Sequence, residues 1–411
     1  MKTLQILPAL EQGGVERGVV EVNRALVAHG WENVVVSAGG RLAATIVADG
    51  GRHITMDVKS KNPLTFFSRA YRLRRILREE HPDAVCVHSR VPAWLFRFAN
   101  RPLGLKWISF AHGANSISAY SRVMTAGDLV VTPSRFLADY LKSAYGLAEE
   151  KIRVIPRAVE ADKFDIAKLD RDFIAAKRAE WGVDGRWVVM ALGRITQLKG
   201  YDTLIRAFQE TIKPSNHQTI KPSNHQTIKP PKLVLVGEAE ALRKDVETDL
   251  RRLVDELGLK NDVVFAGNQQ KVAECLSIAD VVVSANTRKP EAFGRSMAEA
   301  LVMGKPVVAA AFGGALDIVE DGVNGALVEI CGRASRPRRA AAHPEGSPHQ
   351  TARRVEDNVP YQNVAHKFAE ALMRVQSMKF GDLRKAALEK FSFTKMISST
   401  IAVYEEIKSP F

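Results

Sequence analysis

Short apolar runs alternate with longer amphipathic stretches along almost the whole chain, and this alternation constrains the fold most strongly. The runs that predict buried strands are 3–8, 33–39, 53–58, 83–89, 106–113, 128–134 and 152–159, then 187–194, 232–240, 262–268, 280–286 and 306–314. Helix-like stretches separate most of them, among them 15–29, 63–80, 134–145, 200–211, 240–257 and 293–303. Such an alternation predicts an α/β fold, in which helices cover both faces of a parallel sheet.

The alternation lapses between residues 160 and 186, where the sequence becomes charged, and then restarts. With 411 residues the chain is long for one domain and sufficient for two. We therefore predict two Rossmann-like domains, 1–165 and 166–390. The last part of the chain is helix-like, and residues 391–411 are predicted to form a helix that packs back on the N-terminal domain.

Two segments interrupt the pattern. The octapeptide TIKPSNHQ occurs at 211–218 and again at 219–226, and TIKP follows at 227–230. Residues 331–354 are rich in Arg, Pro and Ser and show no hydrophobic period. Proline prevents the first segment from continuing a helix, and long surface loops cost little closure entropy. We predict that 211–230 and 331–354 are surface insertions.

The chain carries 59 Lys and Arg against 46 Asp and Glu, a net charge of +13 that favours anionic partners. No nucleic-acid-binding module is recognisable, so nucleic acid is not expected among those partners. The three cysteines, Cys86, Cys275 and Cys331, are far apart, which argues against a disulfide scaffold or a zinc site. No stretch is long and apolar enough to span a bilayer, and the first apolar run is too short for a signal peptide. These features predict a cytoplasmic protein.

Three motifs at predicted strand ends carry candidate chemistry. Gly13 and Gly14 lie between a strand and a helix, where backbone amides can approach an anion; a tight structural turn explains them equally well. Arg194 and Lys199, in GRITQLKG, follow the strand 187–192, where two cations can hold a diphosphate. Two solvated loop cations are the alternative.

The third motif is KPEAFGRSMAEALVMGKPVV, which contains the most specific signal in the chain. Glu291 and Glu299 are eight residues apart, Phe293 and Gly294 lie between them, and a helix follows. A helix N-terminus at the ligand-facing edge of a sheet favours a phosphate. Glu299 is then placed to accept hydrogen bonds from a ribose diol, and Glu291 from sugar hydroxyls. Without the neighbouring motif, Glu299 would be interpreted as an ordinary exposed helix residue.

These motifs together resemble the retaining glycosyltransferases of the GT-B fold, family 4. The segments GGVER, AHG, GRITQLKG, LVGEAE and EAFGRSMAE occur in the order that this family shows, and only the two insertions lie outside the resemblance. It implies two Rossmann-like domains that face each other across a cleft. Gly14 would then lie near the donor diphosphate and the acceptor, and His112 would contact the donor sugar near the reacting carbon.

The resemblance also assigns roles in the second domain. Arg194 and Lys199 would hold the diphosphate, Glu291 the sugar hydroxyls and Glu299 the ribose, with no metal and no cofactor beyond the donor substrate. The acceptor hydroxyl would attack the face from which the diphosphate leaves, and the departing phosphate would take the proton. Without the resemblance, the local sequence is equally consistent with His112 as a packed or capping histidine.

Acceptor specificity is expected in the N-terminal domain. SKNPL at 60–64 and HSRVPAW at 88–94 resemble bacterial enzymes of lipopolysaccharide or other surface-polysaccharide assembly, whose acceptors are lipid-linked and anionic. The stretch 59–80 combines arginines with aromatic residues, which suits either a peripheral helix on the inner membrane face or an ordinary surface helix. GDP-mannose and UDP-glucose are the expected donor types. A nucleotide-sugar epimerase of the same fold and a degenerate, non-catalytic nucleotide-sugar-binding protein are the alternatives.

Overall fold

The computed structural model describes residues 1–11, 13–212, 229–240, 243–330 and 361–408. The chain divides into two compact units. Unit 1 comprises Met1–Ala158 and the C-terminal segment from Phe393, and unit 2 comprises Val159–Ser392. From the sequence, the two boundaries were predicted at 165/166 and 390/391. The octapeptide repeats and the Arg-rich stretch lie, apart from a few flanking residues, outside the described residues.

A parallel sheet forms the centre of unit 1. Its strands are Lys2–Ile6 (β1), Glu32–Ser37 (β2), Arg52–Thr55 (β3), Ala84–Val87 (β4), Trp107–Phe110 (β5), Leu129–Thr132 (β6) and Ile152–Val154 (β7). They lie in the order β3-β2-β1-β4-β5-β6-β7. β1, β4 and β6 consist entirely or almost entirely of buried residues, as expected for strands covered on both faces.

Helices cover both faces of this sheet. They are Gly14–Ala28 (α1), Ala43–Ala48 (α2), Phe66–Glu80 (α3), Arg90–Asn100 (α4) and Arg135–Tyr145 (α5). α3 buries Ala70, Leu73 and Leu77 in the same cluster as Leu4 and Val85 of the sheet. Each large apolar side chain buried in this way stabilises the unit by about 1.5–3 kcal/mol.

A second parallel sheet forms the centre of unit 2. Its strands are Val188–Leu192 (β8), Lys232–Val236 (β9), Val263–Gly267 (β10), Val281–Ser284 (β11), Val307–Ala310 (β12) and Gly325–Val328 (β13), in the order β10-β9-β8-β11-β12-β13. Its helices are Arg171–Trp181 (α6), Tyr201–Ile212 (α7), Lys244–Glu256 (α8), Val272–Ile278 (α9), Arg295–Val302 (α10), Ala315–Ile318 (α11), Tyr361–Ser377 (α12) and Leu383–Lys390 (α13).

The last helix, Phe393–Ile407 (α14), belongs to unit 1 although it follows unit 2 in the chain. Its Met396, Val403 and Tyr404 join a buried cluster with Cys86 and Ile108 of the first sheet. The burial of the Cys86 thiol in this cluster raises its pKa above the usual range. Cys86 is therefore a packed core residue that remains protonated at neutral pH.

The predicted fold class is confirmed: two α/β units, each built on a parallel sheet. All twelve strands predicted from apolar runs are present, and most end two to four residues earlier than predicted, because the last residues of each run form the loop at the carboxyl edge. β13 was missed. It is a short edge strand that pairs with β12 and begins with Gly325, where a side chain would overlap Val307.

Candidate functional site

The order of the strands in unit 2 brings two separate segments together. The chain runs outward from β8 to β10 and then returns to place β11 beside β8 on its other side. Ligands of open α/β sheets bind at the carboxyl ends of the strands where the order reverses in this way. Gly193 and Arg194 follow β8, and Asn286 and Glu291 lie in the loop after β11. Arg194 and Glu291, two of the residues predicted for the donor site, therefore lie in loops at the reversal point of this sheet.

Glu291 divides its two carboxylate oxygens between different environments. Oε1 forms an ion pair with Nζ of Lys199, which ends the 3₁₀ turn Gln197–Lys199. Oε2 is buried and accepts no hydrogen bond from the described residues. A buried acceptor without a donor costs about 1–3 kcal/mol. The arrangement is thus suited to receive a hydroxyl donor from a ligand.

A second buried acceptor lies in the same loop. Asn286 Oδ1 is buried without a hydrogen-bond donor among the described residues, and it lies five residues before Glu291. Asn286 was not predicted as a site residue from the sequence. A polar residue soon after a strand, at the ligand-facing edge of the sheet, is the local pattern that could have identified it. Two unpartnered acceptors in one loop fit a ligand with several hydroxyl groups.

Close backbone packing fixes the position of Glu291. The amide of Gly314 donates to Glu291 O at 2.7 Å, and a Cβ on Gly313 would lie 2.6 Å from the same oxygen. Gly294 caps α10 with φ of 105°, a conformation that side chains rarely adopt, and a Cβ there would overlap the Met297 side chain. Gly313 and Gly314 belong to this site although the sequence analysis gave them no role.

Phe293 and Glu299, the remaining residues of the motif, lie before α10 and on it, respectively. Phe293 has its ring in the core of unit 2, edge-on to Phe391 at a centroid distance of 5.9 Å. Glu299 lies on α10, a little over one turn beyond the first residue of the helix, and is partly buried. The ring of Phe293 therefore anchors the loop in the core, and α10 begins immediately after Gly294.

The two predicted diphosphate cations are each paired with a carboxylate. Lys199 pairs with Glu291, and Arg194 pairs with Glu240 in an exposed ion pair. The backbone between them is tightly packed, since a Cβ on Gly237 would overlap Gly193 O, and the Tyr201 hydroxyl donates to that oxygen at 2.8 Å. An incoming phosphate would have to share or replace carboxylate partners of both cations.

Gly13 and Gly14 lie at the start of α1 in unit 1, after the loop that follows β1. Gly13 is the N-cap with φ of −74° and ψ of 170°, and the Glu16 carboxylate lies against it. Gly14 is exposed, and a Cβ added there would meet no atom of the described part of the chain within 4 Å. The fold itself therefore does not require glycine at position 14, which weakens the explanation by a tight turn.

His112 follows β5 and is joined to a row of polar side chains. Its Nδ1 lies 2.8 Å from Arg157 Nη2, and its Nε2 lies 3.1 Å from His88 Nδ1. His88 Nε2 lies 3.1 Å from Gln5 Oε1. Burial, and secondarily the Arg157 charge, lower the pKa of His112 well below its usual value and that of His88 to about 3. Both rings are therefore neutral at physiological pH.

An aromatic cavity of about 480 Å³ lies elsewhere in unit 1, between the segment that leads into α3 and the helix α4. Its walls are Ser60, Lys61, Asn62, Pro63, Phe66, Phe67, Arg69, Val91, Trp94 and Tyr120. Arg69 is buried beneath it and donates to Ser60 O and Asn62 O at 2.9 and 3.0 Å. This side chain thereby holds the loop that forms one wall.

Apolar and cationic side chains are exposed around the cavity. Leu64, Phe67 and Tyr71 have exposed fractions of 89%, 65% and 67%. Residues 58–78 contain seven Lys or Arg and no Asp or Glu, and residues 84–127 contain five and none. The apolar side of α3 packs on the sheet as an ordinary surface helix does, but the opposite side remains both basic and aromatic. We call this surface the basic aromatic face, formed by residues 59–78 and α4.

No cluster of three or more His, Cys, Asp or Glu in the described part of the chain has the geometry to hold a metal ion. None of the helices there combines the length and the apolar character that crossing a membrane needs.

Two family models match the chain in succession. The model described as Glycosyltransferase Family 4 matches residues 12–163, and the model described as Glycosyl transferases group 1 matches residues 173–336. The first match falls almost wholly in unit 1 and the second in unit 2. Gly13, Gly14 and His112 therefore lie in the first model, and the Lys199–Glu291 pair lies in the second.

Relatives of known or assigned activity match parts of the chain. A D-inositol 3-phosphate glycosyltransferase of Acidothermus cellulolyticus is 34% identical over 50% of this chain and 43% of its own length. A GDP-mannose-dependent α-(1-6)-phosphatidylinositol monomannoside mannosyltransferase of Mycolicibacterium smegmatis is 28% identical over 66% of this chain and 72% of its own length. The chain spans less than half the length of the first curated relatives that it matches.

The crystal structure of a glycosyltransferase from Rickettsia africae is similar over nearly the whole chain. It aligns with a TM-score of 0.79 and 26% identity, covering 99% of this chain and 98% of that one. The likeness therefore includes both units and agrees with the fold described above.

Proposed function

Since the chain carries a glycosyltransferase family 4 domain followed by a glycosyl transferases group 1 domain, we propose that it is a retaining glycosyltransferase. It moves a hexose, mannose or glucose, from a nucleoside diphosphate sugar to an anionic acceptor. The observation that carries this proposal is Glu291, whose Oε1 pairs with Lys199 while Oε2 is buried and has no donor among the described residues. A sugar hydroxyl would complete the carboxylate, and the ammonium would lie next to the departing phosphate.

The proposed reaction needs one bond broken and one formed. The bond from the anomeric carbon to the diphosphate oxygen breaks, and the nucleoside diphosphate leaves with the electron pair. The acceptor oxygen bonds to the same carbon on the same face, and its proton passes to the departing phosphate. Lys199, Arg194 and the N-terminus of α10 stabilise the charge that develops on the leaving group. Glu299 serves the ribose and Glu291 the transferred sugar.

GDP-mannose and UDP-glucose are the donors that we propose to compare first, and the likeness to the GDP-mannose-dependent enzyme of M. smegmatis favours GDP-mannose. The acceptors in the names of both relatives are phosphorylated inositols, hence anionic. A net charge of +13 suits an acceptor of this kind. We propose a lipid-linked or otherwise anionic glycan acceptor, with a lipopolysaccharide core or another surface glycan as one form of it.

The proposal is tested by incubating the purified chain with each donor, with excess EDTA, and with acceptors that include inositol phosphate and anionic glycolipids. The expected result is a new glycoside whose anomeric configuration, read by NMR, equals that of the donor. A nucleotide sugar converted to its epimer without any acceptor would identify an epimerase instead. Nucleotide-sugar binding without any product would identify a binding protein, and loss of activity in EDTA would contradict metal independence.

Gly14→Ala tests whether the first glycine motif faces a ligand. Because a Cβ at this position meets no atom of the described residues within 4 Å, the melting temperature should stay the same or rise slightly. Glycosyl transfer should nevertheless fall, because the methyl group occupies the space through which the diphosphate or acceptor approaches. Gly381→Ala, where an added Cβ also meets no described residue within 4 Å and which lies outside the motifs along the sequence, is the control. Full activity in Gly14→Ala would remove this glycine from the site.

We also propose that the basic aromatic face contacts the inner face of the cytoplasmic membrane, with Leu64 and Phe67 entering the lipid headgroup region. In Arg72→Gln/Arg78→Gln, two exposed cations of α3 are lost. At about 1 kcal/mol for each cation near an anionic membrane, affinity for vesicles containing phosphatidylglycerol should fall by roughly 30-fold.

The matched control for this experiment is Arg206→Gln/Lys244→Gln, which removes two exposed cations from unit 2. Co-sedimentation with anionic and with purely zwitterionic vesicles gives the measurement. Equal losses in both double variants would indicate a general charge effect, and no binding of the unmodified chain to anionic vesicles would refute the contact.

A further inference from the structure

The side chains that surround His112 form one continuous chain of hydrogen bonds across unit 1. From Arg157 it passes through His112 and His88 to Gln5, at distances of 2.8, 3.1 and 3.1 Å. Gln5 lies in β1, His88 follows β4, His112 follows β5, and Arg157 follows β7. This chain of hydrogen bonds therefore crosses the carboxyl half of the sheet.

The chain of hydrogen bonds continues beyond Gln5 into the buried interior. Gln5 Nε2 donates to Asn33 Oδ1 at 3.3 Å, and Asn33 Nδ2 donates to Asn23 Oδ1 at 2.7 Å. Asn23 Nδ2 then donates to the backbone oxygen of Ile46 at 3.2 Å. Gln5, Asn23 and Asn33 are all buried, so water does not compete for these bonds.

The two ends of this chain determine its direction. A guanidinium only donates hydrogen bonds, and a backbone carbonyl only accepts them. Arg157 therefore donates to Nδ1 of His112, which leaves the proton of the neutral ring on Nε2. That N–H donates to Nδ1 of His88, so the proton of His88 is also on Nε2 and is donated to Gln5. Every member thus donates toward Ile46.

Packing holds the two imidazoles and the guanidinium in this arrangement. The rings of His88 and His112 are stacked with an interplanar angle of 4°, and Phe110 stacks on His88 at 5.0 Å. Arg157 Nη1 lies where a Cβ on Gly18 of α1 would be. The glycine therefore provides the space that the guanidinium occupies.

We propose that Arg157 and His88 are positioning residues for His112, which they hold as a neutral ring protonated on Nε2 with both nitrogens occupied. His112 then contributes to glycosyl transfer because its ring is held in one position, and it does not accept a proton. Its part in transfer rests on the function proposed above, whereas the protonation state of the ring does not. The assignment leaves proton transfer to the departing phosphate.

The tautomers are measurable by two-bond ¹H–¹⁵N NMR on the full chain with ¹⁵N-labelled histidine, without any substrate. His112 and His88 should both show protonated Nε2 and unprotonated Nδ1 at neutral pH. Arg157→Met should change which ring nitrogen of His112 carries the proton in this spectrum. Arg157→Lys, which keeps an N–H donor, should restore the protonated Nε2 at least in part. His112 protonated on Nδ1, or a pattern that Arg157→Met leaves unchanged, would overturn the proposal.

Kinetics test the positioning role separately. Arg157→Met should lower kcat by up to about 100-fold, the cost of a misplaced group near the reacting atoms, while KM for the donor changes little. Gly18→Ala should also lower kcat with little change in KM, because the methyl group displaces the guanidinium without removing it. Circular dichroism establishes that each variant is folded. If the folded variants keep full kcat, the positioning role is refuted. If the unmodified chain transfers no sugar, the proposed function fails while the NMR result stands.

Discussion

Glu291→Ala is expected to lower glycosyl transfer by about 100- to 1000-fold while the affinity for free nucleoside diphosphate stays nearly constant. The buried Oε2 has no donor among the described residues, and we propose that a hydroxyl of the transferred sugar supplies one. That contact strengthens as positive charge develops at the anomeric carbon, so its loss appears in the rate more than in binding. Calorimetry with the diphosphate and rates with the complete donor give the two quantities.

Two further variants make this prediction specific. Glu299→Ala should weaken diphosphate and donor alike, because its proposed partner is the ribose. Glu240→Ala removes an exposed carboxylate that pairs with Arg194, and it should have a small effect on the rate. Equal loss of diphosphate affinity in the Glu291 and Glu299 variants would show that the two roles are assigned wrongly.

Lys199→Ala is expected to weaken binding of the nucleotide sugar by about 1.5–3 kcal/mol, the usual contribution of a hydrogen bond to a charged group. The same ammonium pairs with Glu291, so this substitution also leaves Oε1 of the carboxylate without its partner. Transfer should therefore fall further than binding. Lys271→Ala, which breaks the ion pair with Asp170 at the start of α6, is the matched control.

A double-mutant cycle separates the two effects of Lys199. If lysine and glutamate act as a unit, Lys199→Ala/Glu291→Ala should be little slower than Glu291→Ala alone. Strictly additive losses would mean that each residue contacts the donor independently. Wild-type kinetics in Lys199→Ala would exclude this lysine from the donor site.

The sequence determined the fold class and the two-unit organisation, because strands covered on both faces must be continuous apolar runs. It also selected Lys199, Glu291 and Gly294, since strand ends and a helix start at the ligand-facing edge are local signals. It did not reveal β13, because four residues that begin with glycine give no recognisable period.

Only the tertiary structure decided which of these side chains meet. Lys199 and Glu291 are 92 residues apart, and Gln5 and His88 are 83 apart, so no periodicity relates them. His88 and Arg157 each lie near the end of a predicted strand, in 83–89 and 152–159, but many polar residues occupy such positions. Gln5 and His88 meet because β1 and β4 are neighbours in the first sheet, and Lys199 and Glu291 meet because β8 and β11 are neighbours in the second. Local sequence sets which strands form, and strand order sets which polar groups pair.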